Sequence, residues 1–195
     1  KIKDTFDKAA ISRLYDKAIP QDRLWIYGHH GVSDIESIFN RLRYLIVGCD
    51  CKWIILDHLH MLVLADKSVD ERVGIDQIMG RLSSLCEETG VGIIMVSHLK
   101  GLQGDKGFEE GAATSLSALR GSRSIGQLAH NCIGFERNQQ ADDPVERNTC
   151  IVRVIKCREV GDTGIATALE FNRDTNRMME TDRDFLNDNE LDCEL

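Results

Sequence analysis

The sequence lacks the features that mark fibrous, linker-like and membrane-spanning chains. Only 2 of its 195 residues are proline and 16 are glycine, which excludes a collagen-like or linker-dominated chain. Its apolar runs, such as Trp53–Leu56 and Val91–Val96, have the length of a strand and fall far short of the ~20 residues that cross a bilayer. Its first residues do not resemble a signal peptide, so we expect no membrane among its partners.

Zinc-type cysteine spacing is missing as well. Of seven cysteines, only Cys49 and Cys51 lie close together, and no second pair is placed to complete a site. Several others fall in apolar, strand-like runs, where cysteine behaves as a small hydrophobic residue. We therefore expect reduced, structural thiols and a cytosol-like compartment.

The chain also has no excess of positive charge. With 24 basic and 32 acidic residues its net charge is −8, which taken alone argues against nucleic acid as a partner. Much of this charge lies in residues 180–195, where seven acidic residues accompany one basic residue. That segment carries −6 and residues 1–179 only −2, so we interpret residues 1–179 as a domain and residues 180–195 as an acidic, disordered tail.

Strand-like and helix-like patterns alternate along the domain, which predicts an α/β fold with a sheet that is parallel at its centre and has an antiparallel addition. Ser33, with Glu36 three residues later, predicts the N-cap of a helix. Residues 100–119 lack a period, so we expect an irregular, functional stretch there. The predicted helices cover residues 4–17, 34–47, 70–88 and 122–129. The predicted strands cover residues 24–27, 53–56, 91–96, 132–136, 149–156 and 165–172.

The apolar strand Trp53–Leu56 ends in Asp57, which is the Walker B pattern. In an open α/β sheet such an acid emerges in the crevice where ligands bind. There it can hold Mg²⁺, usually through water, beside nucleotide phosphates. Any buried parallel strand that happens to end in aspartate gives the same pattern, and this alternative stays open from the pattern alone.

The next strand, Val91–Val96, leads to His98, and neighbouring parallel strands would place His98 at the same sheet edge as Asp57. A polar group there can hydrogen-bond a terminal phosphate. The alternative is a loop histidine that begins a turn. His58 and His60 raise the further hypothesis of a metal site, although no third ligand clusters with them in the sequence.

The predicted strand over residues 149–156 leads into Lys156 and Arg158. Two cations on one face at the end of a strand suit a phosphate oxygen that faces them across a subunit boundary. A solvated pair on an edge strand is the alternative interpretation.

Several blocks, in order and with preserved spacing, resemble one family. They are I-I-L-D-H-L (54–59), S-V-D-E-R (68–72), V-S-H-L-K (96–100), E-E-G (109–111), S-L-S-A-L-R-G-S (115–122), E-R-N-Q-Q (136–140) and V-I-K-C-R-E-V-G-D-T-G (154–164). From about residue 20 to 173 the chain resembles the helicase half of phage replicative primase-helicases and of mitochondrial Twinkle, and more distantly bacterial DnaB. The resemblance implies a RecA-like P-loop NTPase core with three layers and a mostly parallel sheet that ends in antiparallel strands.

The resemblance implies catalytic roles for four residues of the chain. Asp57 is the Walker B acid that organises Mg²⁺, and His98 is the sensor of the γ-phosphate. Arg158 is the arginine finger supplied to the nucleotide of the neighbouring subunit, and Lys156 lies beside it.

The resemblance also implies binding roles. Arg137 and Phe171 lie where the family holds the nucleotide base, between a guanidinium and an aromatic ring. Lys100 and Lys106 lie on the loop that contacts single-stranded DNA in the central pore of the ring. The block that follows this loop adds Arg120, Gly121 and Arg123 to the predicted DNA-contacting residues.

The chain departs from the family in three respects. It contains no G-x-x-x-x-G-K-[ST] motif, so the P-loop strand and its lysine are absent, and so is the catalytic glutamate of the family. We therefore expect the C-terminal part of a motor domain, inactive by itself. Gly126 and His130 replace arginine or acidic positions of the family's DNA block, and Phe171 stands where close phage relatives carry tyrosine.

The leading hypothesis is a replicative, ring-forming helicase motor that couples NTP hydrolysis to 5′–3′ movement on single-stranded DNA. It predicts Mg²⁺ with ATP or dTTP, a homohexamer or heptamer, and docking of the replicative polymerase on the acidic tail, for which a merely solubilising end is the alternative. The expected location is the cytoplasm of a phage-infected bacterium, or else the mitochondrial matrix. The alternative functions are a RecA-like recombination or repair ATPase and a catalytically inactive, oligomerising DNA-binding fragment.

Overall fold

The computed structural model describes residues 7–19, 23–28, 34–63, 70–101, 107–121 and 123–181. Among these residues none of the helices combines the length and the apolar character needed to cross a bilayer. A π-helix, Tyr44–Gly48, follows α2, and a 3₁₀ helix spans Leu116–Ala118. The α-helices are α1 (Lys8–Ala18), α2 (Ile35–Arg43), α3 (Leu59–Val63), α4 (Glu71–Thr89), α5 (Arg123–Leu128) and α6 (Pro144–Asn148). The strands are β1 (Trp53–Leu56), β2 (Gly92–Met95), β3 (Asn131–Glu136), β4 (Thr149–Cys157), β5 (Gly164–Asn172) and β6 (Arg177–Glu180).

Strands β1 and β2 form a parallel pair with one buried and one exposed face. Ile54 of β1 is buried in the hydrophobic core, whereas its neighbour Ile55 is 71% exposed and pairs with Ile94 of β2, which is also exposed. The alternation follows from the period of two along a strand. Helices therefore cover only the Ile54 side of this parallel pair within the described residues.

Helix α4 supplies much of the core beneath β1 and β2. It begins after Asp70, whose side chain accepts a hydrogen bond from the Arg72 N–H, and it ends at Gly90, whose φ of 70° suits a glycine C-cap. Its apolar side chains recur at helical spacing and pack with those of α2. The buried hydrophobic residues of α4 are Ile75, Ile78, Met79, Leu82 and Leu85.

Strands β3, β4, β5 and β6 form an antiparallel sheet in that order. Within the described residues the pair β1–β2 is the one parallel pair, so the expected mostly parallel sheet is here a parallel pair followed by a larger antiparallel sheet. The mixed α/β character agrees with the prediction. β4 lies inside the sheet and is hydrogen-bonded to β3 on one side and β5 on the other.

The structure corrects three local predictions. Residues 24–27 form no strand, because this short segment has no pairing partner in the described residues and its side chains are exposed. The N-cap of α2 is Asp34 and not Ser33, since the Asp34 carboxylate accepts hydrogen bonds from the Ser37 N–H and hydroxyl at 2.9 and 2.6 Å. The α-helix ends at Arg43, and the chain continues as the π-helix instead of as further α-helix to residue 47.

Three short elements were not predicted. Helix α6 does carry a local signal in the sequence: Asp143 caps it, and Pro144 occupies its first turn. Helix α3 has only five residues and β6 only four, and β6 is exposed throughout, so neither carries a periodic apolar pattern.

The described cysteines are free thiols, as expected. Burial raises the pKa of the thiols of Cys86, Cys132 and Cys150, which keeps them protonated and unreactive.

Candidate functional site

The carboxyl ends of β1 and β2 lie side by side, as predicted. Leu56 pairs with Met95, and the Val96 N–H donates to the Leu56 carbonyl at 2.9 Å. Asp57 and His98 therefore follow neighbouring parallel strands at one sheet edge. The Asp57 side chain is 77% exposed, so it is open to a ligand in solution.

Three histidines cluster at this edge. The ring centroids of His58 and His98 are 4.3 Å apart, and those of His60 and His98 are 5.2 Å apart. His58 also places its Nδ1 3.7 Å from Asp57 Oδ1. The rings do not support the hypothesis of a histidine metal site, since no group of three ligand residues in the described part of the chain is arranged to hold an ion.

His60 differs from the other two histidines because it is buried. Burial lowers the pKa of His60, and the nearby His98 and Arg120 lower it further, whereas Glu71 raises it. The ring is therefore neutral near pH 7.

The segment after β2 is joined to the predicted DNA-contacting block by main-chain hydrogen bonds. The Arg120 N–H donates to the His98 carbonyl at 3.0 Å, and the Lys100 N–H donates to the Ala118 carbonyl at 2.9 Å. Lys100 and Arg120 are both exposed. The structure thus brings the predicted sensor and two predicted DNA contacts together, whereas Lys106 lies outside the described residues.

The side chain of Arg120 is held by an ion pair that sequence reasoning missed. Its Nε and Nη2 donate to the Glu71 carboxylate at 3.1 and 3.3 Å. Glu71 lies in the S-V-D-E-R block, which was the available signal, but its partner is 49 positions away in the chain.

The residues that follow Arg120 connect the block to α5. Gly121 has a φ of 100°, which favours glycine, and it lies directly against the buried side chain of Ile75. Arg123 is the exposed first residue of α5.

Lys156 and Arg158 lie at the C-terminal end of α5. The Lys156 ammonium donates to the carbonyls of Gly126, Ala129 and Gln127 at 2.7, 2.8 and 3.2 Å. Arg158 Nη2 donates to the Gln127 carbonyl at 2.7 Å. Cations at this end of a helix satisfy carbonyls that lack partners within the helix. Sequence reasoning did not foresee this contact, and the catalytic roles of the two residues stay predictions.

Arg137 and Phe171 lie at the opposite end of β4. Arg137 follows Glu136, which pairs with Ile151 near the start of β4, and its Nε donates to the Arg147 carbonyl at 2.7 Å. Phe171 is half-buried on β5, one position beyond the residue that pairs with Thr149. The structure therefore separates the predicted base-binding pair from Lys156 and Arg158 by the length of β4.

A buried carboxylate anchors this end of the antiparallel sheet. Glu136 is only 4% exposed, and it accepts hydrogen bonds from the Thr114 N–H and hydroxyl at 2.6 and 2.8 Å. Arg153 binds the same carboxylate through two nitrogens, at 2.7 and 3.2 Å. The E-R-N-Q-Q block contains Glu136, but this pattern does not predict the structural role of its carboxylate.

The arrangement presents the open carboxylate of Asp57, three imidazoles and the Arg120 guanidinium around one sheet edge. These are groups that neutralise and orient phosphate oxygens.

Comparison with known proteins agrees with this chemistry. A family model described as the DnaB-like helicase C-terminal domain matches residues 3–180. The DNA helicase/primase of Enterobacteria phage T3 is 39% identical over 161 residues, which are 83% of this chain and 28% of that protein. The chain therefore spans just over a quarter of the length of this relative.

A solved structure supports the fold. The crystal structure of a KaiC-like protein from the hyperthermophilic archaeon Pyrococcus horikoshii has a TM-score of 0.58 and 13% identity, and the match covers 87% of this chain and 64% of that one. At this identity the likeness concerns the fold alone, and it agrees with the predicted RecA-like α/β core. The family match and the phage relative confirm the resemblance seen in the sequence, and the chain belongs to the family of DnaB-like helicase C-terminal domains.

Proposed function

We propose that the chain is the C-terminal part of a replicative helicase motor that couples NTP hydrolysis to 5′–3′ movement on single-stranded DNA and to unwinding. The observation that carries the proposal is the 3.0 Å hydrogen bond from the Arg120 N–H to the His98 carbonyl. This hydrogen bond connects His98, at the sheet edge where a terminal phosphate is proposed to bind, with Arg120, in the segment proposed to contact DNA phosphates. A change at the nucleotide therefore has a short main-chain route to the DNA.

In this proposal Asp57 holds Mg²⁺ together with ATP or dTTP. Mg²⁺ is commonly bound by one or two carboxylates, and nucleotide phosphates and water complete its shell. The single open carboxylate of Asp57 fits such a shared site. The ion, when bound, neutralises charge on the phosphates, and His98 hydrogen-bonds the terminal phosphate from the same edge.

The proposal includes a ring, a homohexamer or heptamer, because the two ends of β4 serve different nucleotides. From Thr149 to Cys157, β4 is about 26 Å long at roughly 3.3 Å per residue. That length exceeds one nucleoside triphosphate, so Arg137 and Phe171 cannot hold the base of the nucleotide whose phosphates Arg158 contacts. Arg158, with Lys156 beside it, therefore acts on the nucleotide of a neighbouring subunit.

Single-stranded DNA is the proposed track. Lys100, Arg120 and Arg123 are exposed. Main-chain hydrogen bonds from Lys100 to Ala118 and from Arg120 to His98 hold the loop residue Lys100 beside the DNA block. Lys106 is proposed as a further contact. Cations that grip phosphates without reading bases suit an enzyme that must move along any sequence.

The first test replaces the proposed finger. In a motor that includes the phosphate-binding segment, Arg158→Ala is expected to lower DNA-stimulated NTP hydrolysis by about 10³–10⁵-fold, because an arginine supplied in trans stabilises the charge of the transition state. Arg177→Ala, an exposed arginine on β6, is the matched control and should keep its rate. An Arg158→Ala motor with an unchanged rate contradicts the assignment.

Mixing two inactive variants separates action in trans from action within one subunit. Asp57→Asn and Arg158→Ala motors are each expected to be inactive, and their mixture to regain part of the activity at interfaces that combine two intact residues. A mixture that stays inactive contradicts the ring mechanism. Electron microscopy of the same samples with DNA distinguishes closed rings from the filaments of a recombination ATPase.

The acidic segment is proposed to dock the replicative polymerase. The proposed location is the cytoplasm of a phage-infected bacterium, because the similar helicase/primase is a phage protein. Four apolar residues are interleaved with its acids, at Phe185, Leu186, Leu191 and Leu195. The expected boundary of this segment is wrong by two residues, because Glu180 belongs to β6 and the Thr181 N–H bonds to β5. Deletion of residues 182–195, which spares β6, is expected to weaken polymerase binding in surface plasmon resonance while ring assembly persists. Unaltered binding contradicts the docking role.

A further inference from the structure

His60 is a buried histidine that none of the roles above uses. It lies in α3, three positions after Asp57, and is 7% exposed. In the described part of the chain no group reaches full hydrogen-bond geometry at either ring nitrogen, although the Arg120 main chain lies close enough to raise the pKa of the ring. Buried polar groups without partners are uncommon in native proteins, and each one requires an explanation.

The ring of His60 lies between two groups with proposed functions. On one side its centroid is 5.2 Å from that of His98. On the other side its Nε2 is 3.8 Å from Glu71 Oε1, the same oxygen that accepts a hydrogen bond from Arg120 Nε. Side chains therefore form a second, continuous path from His98 to Arg120 beside the main-chain hydrogen bond.

The charged and titratable groups around the ring come from every segment that packs against it. His58 lies 6.3 Å away on the same segment, His98 follows β2, Glu71 begins α4, and Arg120 lies in the DNA-contacting block. When His60 is neutral, the Glu71 carboxylate pairs with Arg120 alone of these groups. A ring that turned or gained a proton would compete with Arg120 for that carboxylate.

We infer that His60 is a positioning residue that transmits a change at His98 to the Glu71–Arg120 ion pair, and so to the DNA-contacting block. The inference rests on the proposed function, which supplies the phosphate at His98 and the DNA at Arg120. When a phosphate engages His98, the adjoining ring of His60 shifts. A shift of about 1 Å brings Nε2 within hydrogen-bond distance of Glu71 and draws this carboxylate away from Arg120.

The first test follows the His60 ring of the 195-residue chain by NMR while the pH is varied. Coupling between sites is reciprocal, so a change at either end of the path must appear at His60. His98→Gln and Arg120→Gln are expected to raise the titration midpoint of His60, because both side chains lower its pKa, and Glu71→Gln to lower the midpoint, because Glu71 raises the pKa. Arg177→Gln, at an exposed arginine on β6 away from the cluster, is the matched control and should leave the midpoint in place.

A midpoint that none of the three variants moves overturns the inference, whatever the hydrolysis assays give. Thermal unfolding of each variant establishes that it is folded, and the exposure of the side chains of Arg120 and Glu71 favours this.

The second test measures hydrolysis by the motor that includes the phosphate-binding segment. His60→Phe keeps a ring and removes both nitrogens, and it is expected to lower the ratio of DNA-stimulated to unstimulated hydrolysis about fivefold or more. Arg177→Phe, on the exposed strand β6, should keep the ratio. An equal loss of both rates in His60→Phe overturns the coupling role. Absence of hydrolysis in the unsubstituted motor contradicts the proposed function instead, and the NMR result then decides the role of His60.

Discussion

Glu136 shows how much one residue can hold together when it is charged and buried. Its carboxylate accepts hydrogen bonds from Thr114 and Arg153. These bonds connect the segment before the 3₁₀ helix to β3 and β4. A buried carboxylate is tolerated only when partners replace the water it has lost. The end of the sheet that carries Arg137 and Phe171, the residues predicted to hold the base, therefore depends on a buried charge pair.

Removal of one partner tests this dependence. Arg153→Met leaves Glu136 buried without its cation, and it is expected to lower the free energy of unfolding by about 3–5 kcal/mol in urea denaturation. The matched control is Arg43→Met, whose partner Glu88 is half exposed like Arg43 itself. Exposed pairs contribute little, so the control should lose less than about 1 kcal/mol. Equal losses in the two variants would falsify the structural role of the buried pair.

At the scale of elements, the predicted DNA-contacting block packs closely against α4. Gly121 has a positive φ, and a Cβ there would overlap Ile75 Cδ1, whose side chain is completely buried. The position of Gly121 is thus fixed by the face of α4.

Two identical substitutions in opposite surroundings test this packing. Gly121→Ala is expected to destabilise the protein by about 1–3 kcal/mol, because it adds a clash to an unfavourable φ. Gly80→Ala, in α4, has open space around the new methyl group and should stabilise by about 0.5–1 kcal/mol through helix propensity. Thermal unfolding measures both, and destabilisation by Gly80→Ala as large as that by Gly121→Ala would contradict the account.

The sequence was sufficient for elements with strong local signals. Helix α4 could be predicted because Asp70 and Gly90 mark its ends, and the sheet edge because apolar strands precede both Asp57 and His98. The contacts made by Lys156 could not be predicted, since nothing local indicates that a strand end meets the carbonyls of α5 some thirty positions earlier. Long-range pairs of polar residues leave no periodic trace in a sequence.

At the scale of the whole molecule, a large part of the apolar surface stays exposed. Trp53 and Ile55 of β1 and Ile94 of β2 share one uncovered face, and Ile133 and Phe135 of β3 are exposed as well. An uncovered apolar face such as that of β1 and β2 is uncommon on a soluble monomer and promotes association.

Dye binding and sedimentation test the consequence of this surface. The 21.9 kDa chain is expected to bind the dye ANS and to sediment as a mixture of associated species. Ile55→Lys combined with Ile94→Lys should reduce both effects, whereas Val160→Lys, at an exposed residue after β4, should reduce neither. Undiminished dye binding in the double variant would show that this face is not responsible.

Strand β4 has a mechanical consequence for the proposed ring. Its hydrogen bonds to β3 and β5 keep it from stretching or shortening, so Arg158 stays at a constant distance from Phe171 throughout a cycle of hydrolysis. In the proposed ring, each subunit would therefore hold its two nucleotide-contacting ends at a fixed separation. In the proposed ring, the gaps around those nucleotides would widen and close by rotation of whole subunits, and the interfaces between subunits would set the length of each step along DNA.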